Sequence, residues 1–192
     1  MNELSTRPMI AEEPARFSVD EFMAMAQQPP LSDWCGKIEL VEGVIVRMSP
    51  AGYPHFGFQR DIFRKLDRIF GNGLDGWIVG QELTVNMTKP KPSVREPDVC
   101  IFRDPGKIKG LVTSDALLLA IEVADSSRRE DLEPKRLSYA KAGVPNYWVV
   151  DINAEQTHVF DSPVKGDYGT HDIVPFGKLI AVPGTSRKVR IG

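Results

Sequence analysis

The sequence predicts an α/β fold in which a central mixed sheet is flanked by helices, and three observations predict it. These are the almost unbroken apolar run Leu117 to Val123, the amphipathic stretch 55–70, and the strand, helix, strand succession within 117–152. An apolar run of that kind reads as a strand covered on both faces. In 55–70, Phe58, Ile62, Leu66 and Ile69 recur at helical spacing, so one stripe of the helix faces a core. A strand–helix–strand succession forms a right-handed crossover that sets its two strands side by side and parallel.

The remaining elements follow in chain order. Residues 1–16 lack hydrophobic periodicity and are expected to form a mobile arm, which leaves 17–192 as one domain. Ser18-Val19-Asp20-Glu21 has the capping-box pattern, with Phe22, Met23 and Met25 for the following helix to bury, and Pro29-Pro30 ends it. Residues 37–48 read as a hairpin about Glu42-Gly43, beside an N-terminal helix. Ile38, Leu40, Val44, Val46 and Met48 alternate inward, so Glu39 points away from Leu40. His55 starts the long helix, where hydrogen bonding is its simplest role.

Trp77 to Met87 reads as one half-exposed strand, with Val79, Leu83, Val85 and Met87 on one face and Gln81 interrupting it. Lys89-Pro90-Lys91-Pro92 breaks regular structure, and Asp98 to Phe102 and Leu117 to Val123 follow as central strands. Arg128-Arg129-Glu130-Asp131 reads as a solvated turn of mixed charge whose arginines could still touch phosphate. A helix is expected over Leu132 to Ala142, with Pro134 in its first turn and Gly143 as terminator. Tyr147 to Ile152 is the next strand, and its Tyr147-Trp148 pair reads as core instead of a base-stacking platform. Residues 156–192 form a terminal hairpin region.

Composition narrows the function classes. Apolar residues at 42% and charged residues at 26% are ordinary for a globular chain, and a net charge of −2 excludes a histone-like binder. Any attraction to nucleic acid must come from a local basic patch or from bound cations. Cys35 and Cys100 do not make a disulfide framework, and Cys100 lies inside Val99-Cys100-Ile101-Phe102 as a buried thiol. The N-terminus offers no apolar leader and no segment long enough to span a bilayer, so a cytoplasmic protein without membrane contact is expected.

The chemistry lies on the central strands. Asp98 follows Pro97 at the start of one of them, and Glu122 sits within an apolar strand, where an ionised carboxylate is costly without a cation or donors beside it. Two such acids on neighbouring strands suit a hard metal. Mg²⁺, or Mn²⁺ in its place, would take Asp98, Glu122 and a backbone carbonyl such as that of Val123, keeping positions for water and phosphate. Zinc suits the chain less, because His55, His158 and His171 lie in separate segments without CxxC or HExxH spacing. Lys135 shares a helix face with Leu132, Tyr139 and Ala142, which is the buried face. There its ammonium either snorkels out or meets the carboxylates and orients or deprotonates their water.

These residues resemble a known family. Phe17 to Phe22 (FSVDEF), Ile38 to Pro50 (IELVEGVIVRMSP), His55, Arg95 to Phe102 (REPDVCIF), Ile121 to Ser126 (IEVADS) and Lys135 to Asp151 are similar, in order and spacing, to the Uma restriction-endonuclease family of the PD-(D/E)-x-K nuclease superfamily. The resemblance implies a restriction-endonuclease-like fold and a metal-dependent endonuclease that hydrolyses DNA phosphodiesters, with a homodimer as a compatible assembly. It implies Asp98 and Glu122 as metal ligands, Lys135 as the active-site lysine and Glu39 as an auxiliary acid. The superfamily pattern carries its lysine two residues after the acid, and this chain has Ala124 there. Two other classes compete: a degenerate nuclease fold serving as a nucleic-acid-binding or assembly module, and a metal-independent hydrolase whose paired carboxylates act as acid and base.

Overall fold

The computed structural model describes residues 14–34, 36–87, 90–106 and 110–192. Most of the expected N-terminal arm, together with Cys35 and Lys89, lies outside the described residues. Arg16, at the end of that arm, is tied down, its Nη1 donating to the Glu42 carbonyl at 2.6 Å.

Helix α1 (Val19–Ala26) begins at the expected capping box: Ser18 and Glu21 close it reciprocally. Strands β1 (Ile38–Val41) and β2 (Val44–Arg47) pair antiparallel about Glu42 and Gly43, both with positive φ, which suits the tight turn. Helix α2 (Tyr53–Phe70) starts two residues before the expected His55, with a proline in its first turn. The single strand expected over Trp77 to Met87 is divided into β3 (Trp77–Gln81) and β4 (Val85–Asn86). Glu82, at φ +49, turns the chain out of one sheet and into another, so Val79 joins a different core from Leu83, Val85 and Met87. Short β5 (Val94–Arg95) precedes the central strand β6 (Val99–Arg103), and short β7 (Val112–Thr113) precedes the central strand β8 (Leu117–Ala124).

The next helix, α3, also departs from expectation. It runs from Arg128–Glu130 through a π turn, Asp131–Lys135, into Arg136–Lys141. Pro134 is therefore inside the helix and not in its first turn. A proline there removes a backbone donor and crowds the preceding carbonyls, and the wider π turn accommodates it. Strands β9 (Asn146–Asp151), β10 (Gln156–Val164), β11 (Asp167–Pro175), β12 (Leu179–Ala181) and β13 (Lys188–Arg190) complete the chain. The terminal region holds two hairpins, the first of which extends the main sheet.

The main sheet has the order β11-β10-β9-β8-β6-β3, with β8 and β9 parallel, as the crossover requires, and its other pairs antiparallel. A second sheet has the order β2-β1-β5-β4-β7. Alternation along β8 divides the interior. Leu119, Ile121 and Val123 face Ile62, Leu66 and Phe70 of α2, while Ala120 and Ala124 face the core that contains Tyr139 of α3. Glu122, between Ala120 and Ala124, therefore points beneath α3. Cys100 is buried in that same core, and burial pushes its thiol up to about 12.

Candidate active site

The antiparallel register of β6 and β8 pairs Val99 with Ile121, and one further step sets Asp98 opposite Glu122. Pro97 and Asp98 precede the first ladder residue, so the Asp98 carboxylate is free to turn toward the strand edge beside it. Its Oδ2 accepts a hydrogen bond from the Val123 amide at 2.8 Å. A residue in a strand directs its N–H and C=O to the same edge, so the Val123 carbonyl is turned toward Asp98 as well.

Two further groups reach Asp98 from outside the sheet. Lys37 Nζ, just before β1, lies 2.9 Å from Oδ1, and His55 Nε2, in the first turn of α2, lies 3.0 Å from Oδ2. Burial alone would raise this acid. The hydrogen bond from His55, the Lys37 charge and the Val123 amide outweigh burial and hold the carboxyl well below the usual aspartate range. Gln59, one turn along α2, donates to the Asp98 carbonyl at 3.0 Å and fixes the backbone there.

Glu122 is supplied from α3. Lys135 Nζ lies 2.9 Å from its Oε2, and the Tyr139 hydroxyl donates to its Oε1 at 3.0 Å. Lys135 and Tyr139 are one turn apart on the same helix face, as their spacing predicts. Lys135 also lies 3.3 Å from Asp131 Oδ1. Asp131 is 1% exposed, so the reading of 128–131 as a solvated turn is corrected: the segment is helical, and it turns its last acid inward to the lysine four residues on. Burial pushes Glu122 up to about 8, and Asp98, Asp131 and Glu39 add to that shift against the opposing pull of Lys135. Burial disfavours the Lys135 ammonium too, but the surrounding acids more than compensate and keep it charged.

Glu39 sits at the back of this group. Its Oε2 accepts from Arg95 Nη1 at 2.6 Å, and its Oε1 accepts from the Glu96 amide at 3.3 Å. Pairing of Leu40 with Val94 places Glu39 and Arg95 across from one another on β1 and β5. Both side chains are 1% exposed, so Glu39 is not the solvent-side hairpin residue that alternation alone suggests. Leu40 serves the small core beneath α1, and Glu39 faces the acids.

Glu39, Asp98, Glu122 and Lys135 thus line one cleft of about 580 Å³, together with Lys37, His55 and the acidic rim residues Glu82, Asp125 and Glu130. The missing partner in the sequence reading is Lys37. It precedes Glu39 by two, so strand alternation puts both on one side, and that parity was the signal that could have found it. Ala124 is fully buried, and the cation that a residue at its position would bring to Glu122 arrives from Lys135 on the helix.

The donor set fits a hard ion that keeps most of its water, and not a protein-caged one. Among the described residues no group of three or more histidine, cysteine, aspartate or glutamate side chains is arranged around a common point. Two carboxylates on adjacent strand positions and a carbonyl on the same edge, opening on a cleft, leave room for several waters, which is the coordination Mg²⁺ prefers. Zinc would need more protein donors.

No helix among the described residues is long and apolar enough to cross a membrane. None of the curated proteins compared matches the chain. Among solved structures, the crystal structure of "a putative nuclease belonging to DUF820" from Anabaena variabilis ATCC 29413 is similar over 87% of this chain and 89% of that one, with a TM-score of 0.67 and 17% identity. That likeness shows the fold, which is restriction-endonuclease-like. A family model described as "Uma2: Putative restriction endonuclease" matches residues 20–190, and the chain belongs to that family.

Proposed function

We propose that this chain is a Mg²⁺-dependent endonuclease that hydrolyses DNA phosphodiesters, with Mn²⁺ able to replace Mg²⁺. The observation that carries the reading is the convergence of Asp98 and Glu122, two buried acids from neighbouring strands, with the Lys135 ammonium 2.9 Å from Glu122 at the floor of an open cleft. Asp98, Glu122 and the Val123 carbonyl would hold the ion. Bound there, it would supply a Lewis acid for a phosphate oxygen and a more acidic water.

This chain's own residues do the rest. Lys135, kept charged by the acids around it, donates hydrogen bonds, so it orients the attacking water and stabilises negative charge developing on phosphate instead of removing a proton. The Tyr139 hydroxyl holds the second oxygen of Glu122 and fixes its rotamer. His55 does the same for Asp98 from α2. Glu39, paired with Arg95, ties β1 to β5 within the second sheet, and its negative charge helps to keep Lys135 protonated.

Nicking of supercoiled plasmid by the purified chain tests the proposal. Cleavage is expected with Mg²⁺ or Mn²⁺ and is expected to vanish in EDTA and in Asp98→Asn and Glu122→Gln. Cleavage that persists in EDTA would favour a metal-independent acid–base hydrolase. A folded wild type that binds DNA but never cuts it would favour the binding-module reading, with Ala124 as the lesion.

A further inference from the structure

A second concentration of charge lies toward the far end of α2. The helix is docked on the sheet by Ile62, Leu66 and Phe70, while Arg64 and Arg68, one turn apart, are exposed. Beside this half of α2 runs β13, where Val189 is buried and Lys188 and Arg190 flank it outward. Lys65 joins the two elements, donating to the Arg190 carbonyl at 2.8 Å while pairing with Asp61 at 2.6 Å. Between them is a recess of about 270 Å³ lined by Lys65, Arg68, Arg187, Lys188 and Arg190, with Ile69 and Val189 as its only apolar walls.

Lys65 alone of these cations has an acidic partner. Among the described residues no carboxylate lies within ion-pair distance of Arg64, Arg68, Arg187, Lys188 or Arg190. On a chain of net charge −2 this grouping is a local reversal of sign. Mutual repulsion within it is relieved by an anion that presents several charges in a row, which a single phosphate cannot do and a phosphodiester backbone does. No aromatic ring lines the recess to stack an unpaired base, so the contact suits the backbone of a duplex and not the bases of a single strand. Lys65 is ten residues beyond His55, roughly 15 Å along the helix axis at 1.5 Å per residue. The recess shares no lining residue with the acidic cleft.

We propose that the recess between α2 and β13 is a separate contact for the phosphate backbone of double-stranded nucleic acid. The choice of partner rests on the nuclease reading, but binding here requires neither metal nor cleavage. The test is fluorescence anisotropy with a labelled DNA duplex and the full chain in EDTA, across 50 to 200 mM salt. Arg68→Gln with Arg187→Gln is compared with Lys141→Gln with Lys165→Gln, an equal charge change at exposed positions elsewhere. Thermal melts of both pairs keep folding separate from binding. The recess pair is expected to bind about 10-fold more weakly and to reduce the log–log salt slope by roughly 2, at about 0.9 for each phosphate no longer neutralised. The control pair is expected to change affinity less than about 2-fold.

Equal losses in both pairs, or none in either, would overturn the proposal, as would polyglutamate competing as well as duplex. A wild type that binds through the recess but never cleaves upholds this contact and sinks the nuclease. One that cleaves while both pairs bind alike sinks the recess alone.

Discussion

Asp98 and Glu122 stand opposite one another on neighbouring strands and live in contrasting surroundings. Asp98 receives its counter-charge from the rim: Lys37, whose side chain is 24% exposed, and His55. Glu122 receives its own from α3, through a lysine side chain only 6% exposed. The first acid is held ionised and the second is pushed up to about 8. Two carboxylates one strand apart are thus given unequal chemistry by the element that brings the cation. Asp98 is an anion whose partner can swing out to water, whereas Glu122, closed in beneath α3, holds a proton up to about 8 even with Lys135 beside it.

The largest expected effect strikes the closed side. Lys135→Met leaves Glu122 and Asp131 buried without a cation, which costs roughly 3 kcal/mol in urea denaturation of the metal-free protein. The same change should lower plasmid cleavage by about 10² or more. Adding Glu122→Gln to Lys135→Met should recover much of the stability and none of the cleavage. A Lys135→Met variant that cuts as fast as its parent would make this lysine a structural counter-ion only.

Next in size is the metal response. At 100 times its Kd an ion stabilises the wild type by about 2.7 kcal/mol, and Asp98→Asn should lose that gain; without metal it should melt below the wild-type temperature, because Lys37 and His55 lose the carboxylate they face. Equal metal responses in the two proteins would remove Asp98 from the ligand set.

Smaller again is the open side. Lys37→Met should cost less than about 1 kcal/mol of stability, because Asp98 retains His55 and the Val123 amide and the lysine is partly in water. It should raise Mn²⁺ affinity several-fold by calorimetry, since the ammonium at Asp98 competes with an incoming cation. Weaker Mn²⁺ binding in this variant would contradict the contrast between the two sides.

The mildest test is pH. The folded pKa of Glu122 lies above the unfolded one, so between about 4.5 and 8 the native protein retains a proton that the unfolded chain has released. Its contribution is full below the lower value and fades as pH rises through the upper one. Asp98 acts with the opposite sign, its contribution being present above about 3.8 and fading as pH falls. Metal-free stability should therefore carry a declining component from pH 5 to 8 that Glu122→Gln removes and Asp98→Asn does not. A Glu122→Gln profile parallel to wild type would show that burial does not perturb this acid.

Much of this contrast is legible in the sequence, and its limits have physical causes. The capping box, the apolar β8 and the parallel β8–β9 pair follow from local pattern, because period and turn chemistry specify them directly. Asp98, Glu122 and Lys135 announce themselves as charges in apolar settings, and the structure brings them to one cleft. Glu39 entered the site through family resemblance, because a hairpin buried on both faces looks, in one sequence, like a hairpin buried on one. The division of 77–87 is invisible because it depends on one residue, Glu82, adopting a left-handed conformation that its side chain does not favour. The early start of α3 was masked by Pro134, which in a regular helix belongs near the first turn, and the π turn that admits it has no simple sequence signature.

That displacement of the lysine from strand to helix couples chemistry to the docking of one element. A cation carried at position 124 would follow Glu122 through any fluctuation that leaves the β8–β9 pairing intact. Lys135 does not: it stays with α3, whose first turns include a π segment that departs from the regular hydrogen-bond ladder. Opening of that helix away from the sheet withdraws the ammonium and the Tyr139 hydroxyl from Glu122 together, while every strand remains paired. Loss of plasmid cleavage in mild denaturant is therefore expected to precede loss of the sheet's circular-dichroism signal.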